Sequence, residues 1–325
     1  MPREGASPPL RDRLAGSALL ALSTGIRRLP VVVSYALADF AALFVVVYTL
    51  LHERRVAPKG RGLRRNFRIA FRDELTPARS RRLLWAWAQH MTRLAVDFCR
   101  MPVLNAENLS RHVDLDAVDE LRPIYAEGNG LLCVTGHIGV WELGGHVLSL
   151  AVTPLRVVVR PMGIEPVNDV VNGIRRSSGQ IVIEKRGALW PLKKALDRGE
   201  LVGFLADENT TEDPVFAAFL GTLAATSSSA AFLQQLTGAP IAVMSCNRIG
   251  RGRFRCHVWE VIRAHPSEDK QADLESVTSA INRALTASVL AYPEQWLWSS
   301  RRFLTRPPDE TTGPDDLPPR AEPSE

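Results

Sequence analysis

Cysteine is scarce. The 325 residues hold four, Cys99, Cys133, Cys246 and Cys256, far apart, with no CxxC pair and no histidine at ligand spacing. This excludes a disulfide-stapled minidomain and offers no metal site, so the four read as reduced, buried thiols of a cytosol-facing protein and neither metal nor cofactor is expected. A GxSxG sequence is also missing, which removes the nucleophile elbow of serine hydrolases and leaves Ser227, Ser228 and Ser229 as a helix start. A large charge imbalance is missing too, the net charge being only +5. Apolar residues are plentiful at 46%, which excludes disorder and suffices for one large α/β domain or two small ones.

The small positive surplus is unevenly placed. Residues 1–100 hold 18 Lys/Arg against 7 Asp/Glu, so the rest of the chain is net acidic. Within this third, residues 31–51 (VVVSYALADFAALFVVVYTLL) carry a single charge, Asp39, and no Pro or Gly. At about 1.5 Å per residue such a helix is long enough to cross a hydrocarbon core. Asp39 near its middle would cost about 2.5–3.5 kcal/mol there, so a span, a tilted or interfacial helix and a buried core helix all stay open. The segment lacks the cleavage site of a secretory signal, so its retention is expected. Arg54, Arg55, Lys59, Arg61, Arg64, Arg65, Arg68 and Arg72 follow it, interleaved with Leu63, Phe67, Ile69 and Phe71. That pattern suits anionic lipid headgroups and places the following domain on the cytoplasmic side. A nucleic-acid partner is not expected, because it would leave the apolar segment unexplained. Residues 80–100 have the three-to-four spacing of an amphipathic helix.

From Gly128 to Pro308 strand and helix signals alternate. LLCVT (131–135), LRVVVR (155–160), IVIEK (181–185), LVGFLAD (201–207) and PIAVMSC (240–246) read as strands, and 141–150, 167–177, 188–198 and 226–237 as helices. The pattern predicts an α/β fold with a mostly parallel central sheet flanked by helices, its reactive residues on loops at the strands' carboxyl ends. Thr135-Gly136-His137, Arg160-Pro161 and Ala206-Asp207-Glu208 fall at such ends.

The sharpest feature is GHIGVWE, residues 136–142. Residues five apart on a regular helix point about 140° away from each other. His137 and Glu142 therefore meet only if His137 precedes the helix, with Gly136 and Gly139 allowing a tight turn. Glu142 is then expected to bond one imidazole nitrogen while the other takes a proton. A structural histidine beside an apolar run is the alternative.

This segment resembles the His-x4-acid motif of the glycerolipid acyltransferases, in the His-x4-Glu form of the lauroyl/myristoyl-type late acyltransferases of lipid A. The resemblance covers roughly residues 30–308: an apolar helix, Arg65-Asn66-Phe67, a strand–Arg–Pro…Asn segment at Arg160 and Asn168, a basic position at Arg175 or Arg176, Asp207 followed by Val-Phe-x-x-Phe-x-Gly and Ala-Ala-Thr, then Thr-Gly-Ala-Pro, and YPEQWLWSSRRFLTRP. Five ordered elements make a specific match. Two positions depart from the pattern: Glu208 stands where the family often has Gln or His, and Ser299-Ser300 where it has Leu-His.

The resemblance implies a membrane-associated O-acyltransferase of the inner membrane's cytoplasmic face. It would move a fatty acyl chain from acyl carrier protein or acyl-CoA to a hydroxyl of a lipid A precursor or related glycolipid. His137 would be the general base and Glu142 its support, with Arg160 or N–H groups near Gly139 facing the oxyanion. Arg160 and Arg176 are alternatively phosphate ligands, Asp207 a site-wall residue or a helix cap, and Trp141, Trp296 and Trp298 channel or core residues. A different acceptor, or a non-catalytic lipid-binding relative, remains as the other reading. The expected divisions are a basic segment (1–30), the membrane helix (31–53), a basic and amphipathic helical region (54–127), the acyltransferase core (128–308) and a disordered tail (309–325).

Overall fold

The computed structural model describes residues 8–56, 62–263, 265–310 and 317–321, with backbone only for 53–56. The expected basic segment carries a helix, α1 (Leu10–Arg28), and the apolar stretch forms α2 (Val31–Val56). Pro30 separates them, because the residue before a proline is pushed to extended backbone, as Leu29 is (φ −76°, ψ 146°). Much of the basic run after α2 lies outside the described residues. It resumes in α3 (Leu63–Phe71), and α4 (Pro77–Arg100) follows, with Thr76 capping the Arg79 N–H and Pro77 in the first turn. Alpha-helix α4 buries Leu83, Leu84, Trp87, Ala88 and Leu94, as its spacing predicts.

Then come α5 (Leu109–His112), β1 (Val113–Asp114), α6 (Asp116–Ala126), β2 (Leu131–Thr135), α7 (Trp141–Ala151), β3 (Leu155–Val159), α8 (Glu165–Arg176), β4 (Ile181–Glu184), α9 (Leu189–Asp197) and β5 (Leu201–Leu205). The chain continues through β6 (Val215–Phe219), β7 (Thr222–Thr226), α10 (Ser229–Thr237), β8 (Ile241–Gly250), β9 (Arg253–Ile262) and α11 (Lys270–Ala291). The main sheet has seven strands in the order β1-β9-β8-β2-β5-β3-β4, all pairs parallel except β8–β9. A separate antiparallel hairpin, β6–β7, lies beside it.

Alternation along β2 sends Leu132 and Val134 to one face of the sheet and Leu131 and Cys133 to the other. The first face packs on α9, α10, α11 and the buried Trp296 and Trp298, the second on α6 and α7. Both faces are covered, which is why these strands read as unbroken apolar runs. All four cysteines are buried free thiols.

Part of the tail read as disordered is docked. Leu317 packs on the core, the Pro318 carbonyl accepts from Arg72 at 2.5 Å, and the Ala321 N–H donates to Gly221. These bonds compensate for a composition that would not bury itself alone. Residues 311–316 and 322–325 lie outside the described residues.

Candidate active site

Strand β2 has β5, β3 and β4 on one side and β8, β9 and β1 on the other, so its carboxyl end opens where the sheet order diverges. The β2–β5 register pairs Thr135 with Leu205. Two residues past each of these stand His137 and Asp207, which parallel pairing brings side by side.

The Asp207 carboxylate accepts three bonds. His137 Nδ1 lies 2.8 Å from Oδ1, while the His137 backbone N–H and the Trp296 indole N–H both reach Oδ2 at 2.7 Å. With a carboxylate as acceptor, Nδ1 carries the hydrogen and Nε2 is left to take a proton. Asp207 is buried, with 2% of its side chain exposed, whereas His137 keeps 16% at the surface. Burial alone would lower the imidazole pKa; the charge and hydrogen bond of Asp207, with Glu208 and Glu142 adding, outweigh it and hold His137 above its ordinary value. For Asp207, burial pushes up, and His137 and the Trp296 bond pull it below the usual carboxylate range.

Two glycines make the approach possible. A Cβ on Gly136 would sit 2.8 Å from Asp207 Oδ2, and one on Gly139 would sit 2.1 Å from the Cys246 carbonyl oxygen, at a φ of +65°. The Gly139 N–H donates to the Gln295 carbonyl (2.9 Å) and that of Val140 to Cys246 (2.6 Å). The N–H groups of Gly139 and Val140 are therefore taken.

The carboxylate on the imidazole is thus not that of Glu142. Glu142 lies in the first turn of α7, and both its oxygens are held by Arg175 of α8, at 2.9 and 2.5 Å. Arg175 also reaches Asn172. Of the two adjacent arginines, Arg175 is the inward one, and Arg176 is exposed. The alternation of helix faces explains this: neighbours in sequence point about 100° apart.

Arg160, just past β3, stands at the rim with its guanidinium 3.6 Å from Glu208, both largely exposed. The Asn168 side chain accepts the Met162 N–H at 2.9 Å and so ties the loop after Arg160 to α8. The Trp141 ring stands edge-on to His137, with centroids 5.2 Å apart. Trp296 and Trp298 are fully buried and pack against each other, so they form the wall behind Asp207 rather than an open channel.

Two residues outside the sequence expectations matter. Gln295 bonds the backbone of Arg248 from both ends of its amide, fixing the segment that feeds Trp296. Arg302 is fully buried, donating to the carbonyls of Glu208 and Ala225 and to the side chains of Thr226 and Asn282. Burial pushes its pKa down to about 10, with the Asp207 charge opposing. The double arginine at 301–302 was the available signal. Upstream, Asn66 of α3 donates to the carbonyls of Trp298 and Ser300, and Phe67 packs edge-on to Trp298, joining the Arg-Asn-Phe element to the last signature.

Comparison with known proteins agrees with this architecture. The profile of a family described as bacterial lipid A biosynthesis acyltransferase matches residues 12–305. The chain is 27% identical over 202 residues to the lipid A biosynthesis palmitoleoyltransferase of Escherichia coli K12, covering 61% of this chain and 64% of that one. It is 25% identical over 205 residues to the lipid A biosynthesis lauroyltransferase of the same organism, with the same coverages. It is 23% identical over 216 residues to the phosphatidylinositol mannoside acyltransferase of Mycolicibacterium smegmatis, covering 65% of this chain and 69% of that one. The match thus spans just under two thirds of the length of the Escherichia coli relatives.

Proposed function

Because the chain belongs to the bacterial lipid A biosynthesis acyltransferase family, we propose that it moves a fatty acyl group from a thioester to a hydroxyl of a lipid A precursor or a related glycolipid. His137 Nε2 takes the proton of the acceptor hydroxyl as the oxygen attacks the thioester carbonyl; the C–S bond then breaks, the imidazolium returns that proton to the departing sulfur, and an ester and a free thiol result. Asp207 orients the ring through Nδ1 and stabilises the imidazolium that develops. No covalent acyl-enzyme is required. The observation that carries this reading is the buried carboxylate on the inner nitrogen of a histidine whose ring keeps an edge at the surface.

Glu142 and Arg175 act as a pair that fixes the first turn of α7 to α8, and Trp141 in that same turn stands edge-on to the imidazole. Arg160 at the rim is placed for a phosphate on either substrate, held meanwhile by Glu208. Leu205, the last residue of β5, and Met162, past the end of β3, are both exposed and give the same rim an apolar border suited to acyl chains. Among the described residues, α2 is the one helix long and apolar enough to cross a membrane. We assign the enzyme to the inner membrane's cytoplasmic face on that helix and the basic residues after it. Acyl carrier protein or coenzyme A supplies the thioester, and the acidic carrier protein complements the basic N-terminal third.

The Mycolicibacterium relative, named for a phosphatidylinositol mannoside, keeps a different glycolipid acceptor in play. Lipid mass spectrometry of cells with and without the gene separates the two, since the lost acyl group identifies both chain and acceptor. The mechanism is tested by His137→Ala. Acyl transfer should fall by about 10²–10⁴-fold while membrane attachment is unchanged; full activity in that variant refutes the role of the base.

A further inference from the structure

We propose that α2 lies in the membrane interface rather than across the bilayer, turning one apolar flank to lipid while both its ends stay on the side of the catalytic core. The proposal rests on the membrane attachment inferred above.

Described residues before, along and after α2 touch the same body. Alpha-helix α1 packs on α8 so closely that a Cβ on Gly16 would sit 2.6 Å from Pro166 Cβ. The turn between α1 and α2 is gripped by Arg100, whose Nη1 donates to the carbonyls of Ile26 (3.0 Å) and Leu29 (2.8 Å). At the middle of α2, Asp39 accepts two 2.7 Å bonds from Arg93 of α4. One turn earlier, the Tyr35 hydroxyl donates to Asp97 at 2.5 Å, and Asp97 is in turn held by Arg248 of β8. Beyond α2, Asn66 fastens α3 to the C-terminal signature. The two ends of such a helix do not lie on opposite sides of a hydrocarbon layer about 30 Å thick while these contacts persist. Releasing α2 into a span would carry Asp39 into lipid without Arg93 and strip Tyr35 from a buried carboxylate.

The helix nevertheless has a lipid-facing flank. Tyr35, Ala38, Asp39 and Ala42 form the inner stripe at helical spacing, and Val33, Leu37, Phe40, Phe44, Tyr48 and Leu51 form the opposite one, each between 43% and 67% exposed. An exposed apolar stripe, followed in the chain by the cationic residues of α3, with the polar contacts of α2 confined to the flank that faces the core, lets the helix bury its outer flank beside anionic headgroups without giving up the inner one. The occupant is therefore anionic lipid, not a second copy of the chain.

The four native thiols are buried, so one cysteine introduced at the surface takes label selectively. Arg13→Cys on α1 and Glu268→Cys on the core are expressed singly, their activity checked, and treated with a membrane-impermeant maleimide in spheroplasts and in inverted membrane vesicles. The purified chain is floated with phosphatidylglycerol-containing vesicles. The proposal expects flotation, and both cysteines labelled in inverted vesicles and protected in spheroplasts. Labelling of Arg13→Cys in spheroplasts, with Glu268→Cys still confined to inverted vesicles, overturns it while leaving membrane attachment intact. A chain that stays with the soluble fraction as a dimer overturns both, and makes the stripe a contact between copies.

Discussion

Two histidines of this protein sit beside charged partners and behave oppositely. His137, past the end of β2, faces the Asp207 carboxylate and keeps an edge at the surface. His90, on α4 beneath α2, is buried with 3% exposure, and its Nδ1 accepts from the Arg248 guanidinium at 2.8 Å. Burial and the neighbouring cation hold His90 well below its ordinary pKa, whereas Asp207 overcomes burial and raises His137. The first site can move protons; the second is a neutral strut in the Tyr35–Asp97–Arg248 network that fastens α2. Proximity to charge does not make a histidine catalytic. The sign of the partner and access of the free nitrogen decide it.

The comparison is broken most directly at its carboxylates. Asp207→Asn should lower kcat by about 10²–10⁴-fold at neutral pH. With His137 as the base, the wild-type rate should rise as the imidazole loses its proton, with an acid limb displaced upward from that of an ordinary histidine; without Asp207, burial dominates and that limb should move to lower pH. The linked stability follows the same sign. A raised His137 pKa stabilises the fold fully below the unfolded value of about 6.5, and the contribution fades as pH rises through the folded pKa. A pH-rate profile whose acid limb does not move would contradict the pairing.

At the other site, Asp97→Ala should cost about 3–5 kcal/mol of stability, because it leaves Arg248 buried without its anion. Denaturant titration measures this, and the acid limb of the residual activity should stay where it is. A limb that shifts would mean the two networks are coupled.

The smallest effect is expected at Glu142→Gln. Its pair with Arg175 is partly exposed, with side chains 20% and 17% accessible, so screening limits the loss to about 1 kcal/mol. The rate should drop within about tenfold, with a slight downward move of the acid limb, since Glu142 is only a secondary contributor to the His137 shift. A collapse equal to that of Asp207→Asn would restore Glu142 as the partner of the base.

The strand–helix alternation, and His137 at the end of a buried strand, were legible because both are local patterns. The β6–β7 hairpin was not: VFAAF and TLAAT are each interrupted by an Ala-Ala pair, alanine being a residue that strands disfavour. The partner of His137 was misread for a different reason. Glu142 is near in sequence, but its place in the first turn of α7 aims it at α8. Asp207, seventy residues away, is near only because β2 and β5 are neighbours, and the helix leaving β2 returns to β3 instead. Local spacing carries no record of that strand order. Asp39 was likewise read as a defect in an apolar helix, its partner Arg93 lying 54 residues on.

The bond from Trp296 to Asp207 sets an order of events during synthesis. Helices α1 and α2 are made first, whereas the indole that braces the His137–Asp207 pair is made well over a hundred residues later, together with the backbone carbonyls that receive Asn66. A nascent chain thus holds His137 and Asp207 without their brace until this later segment has emerged.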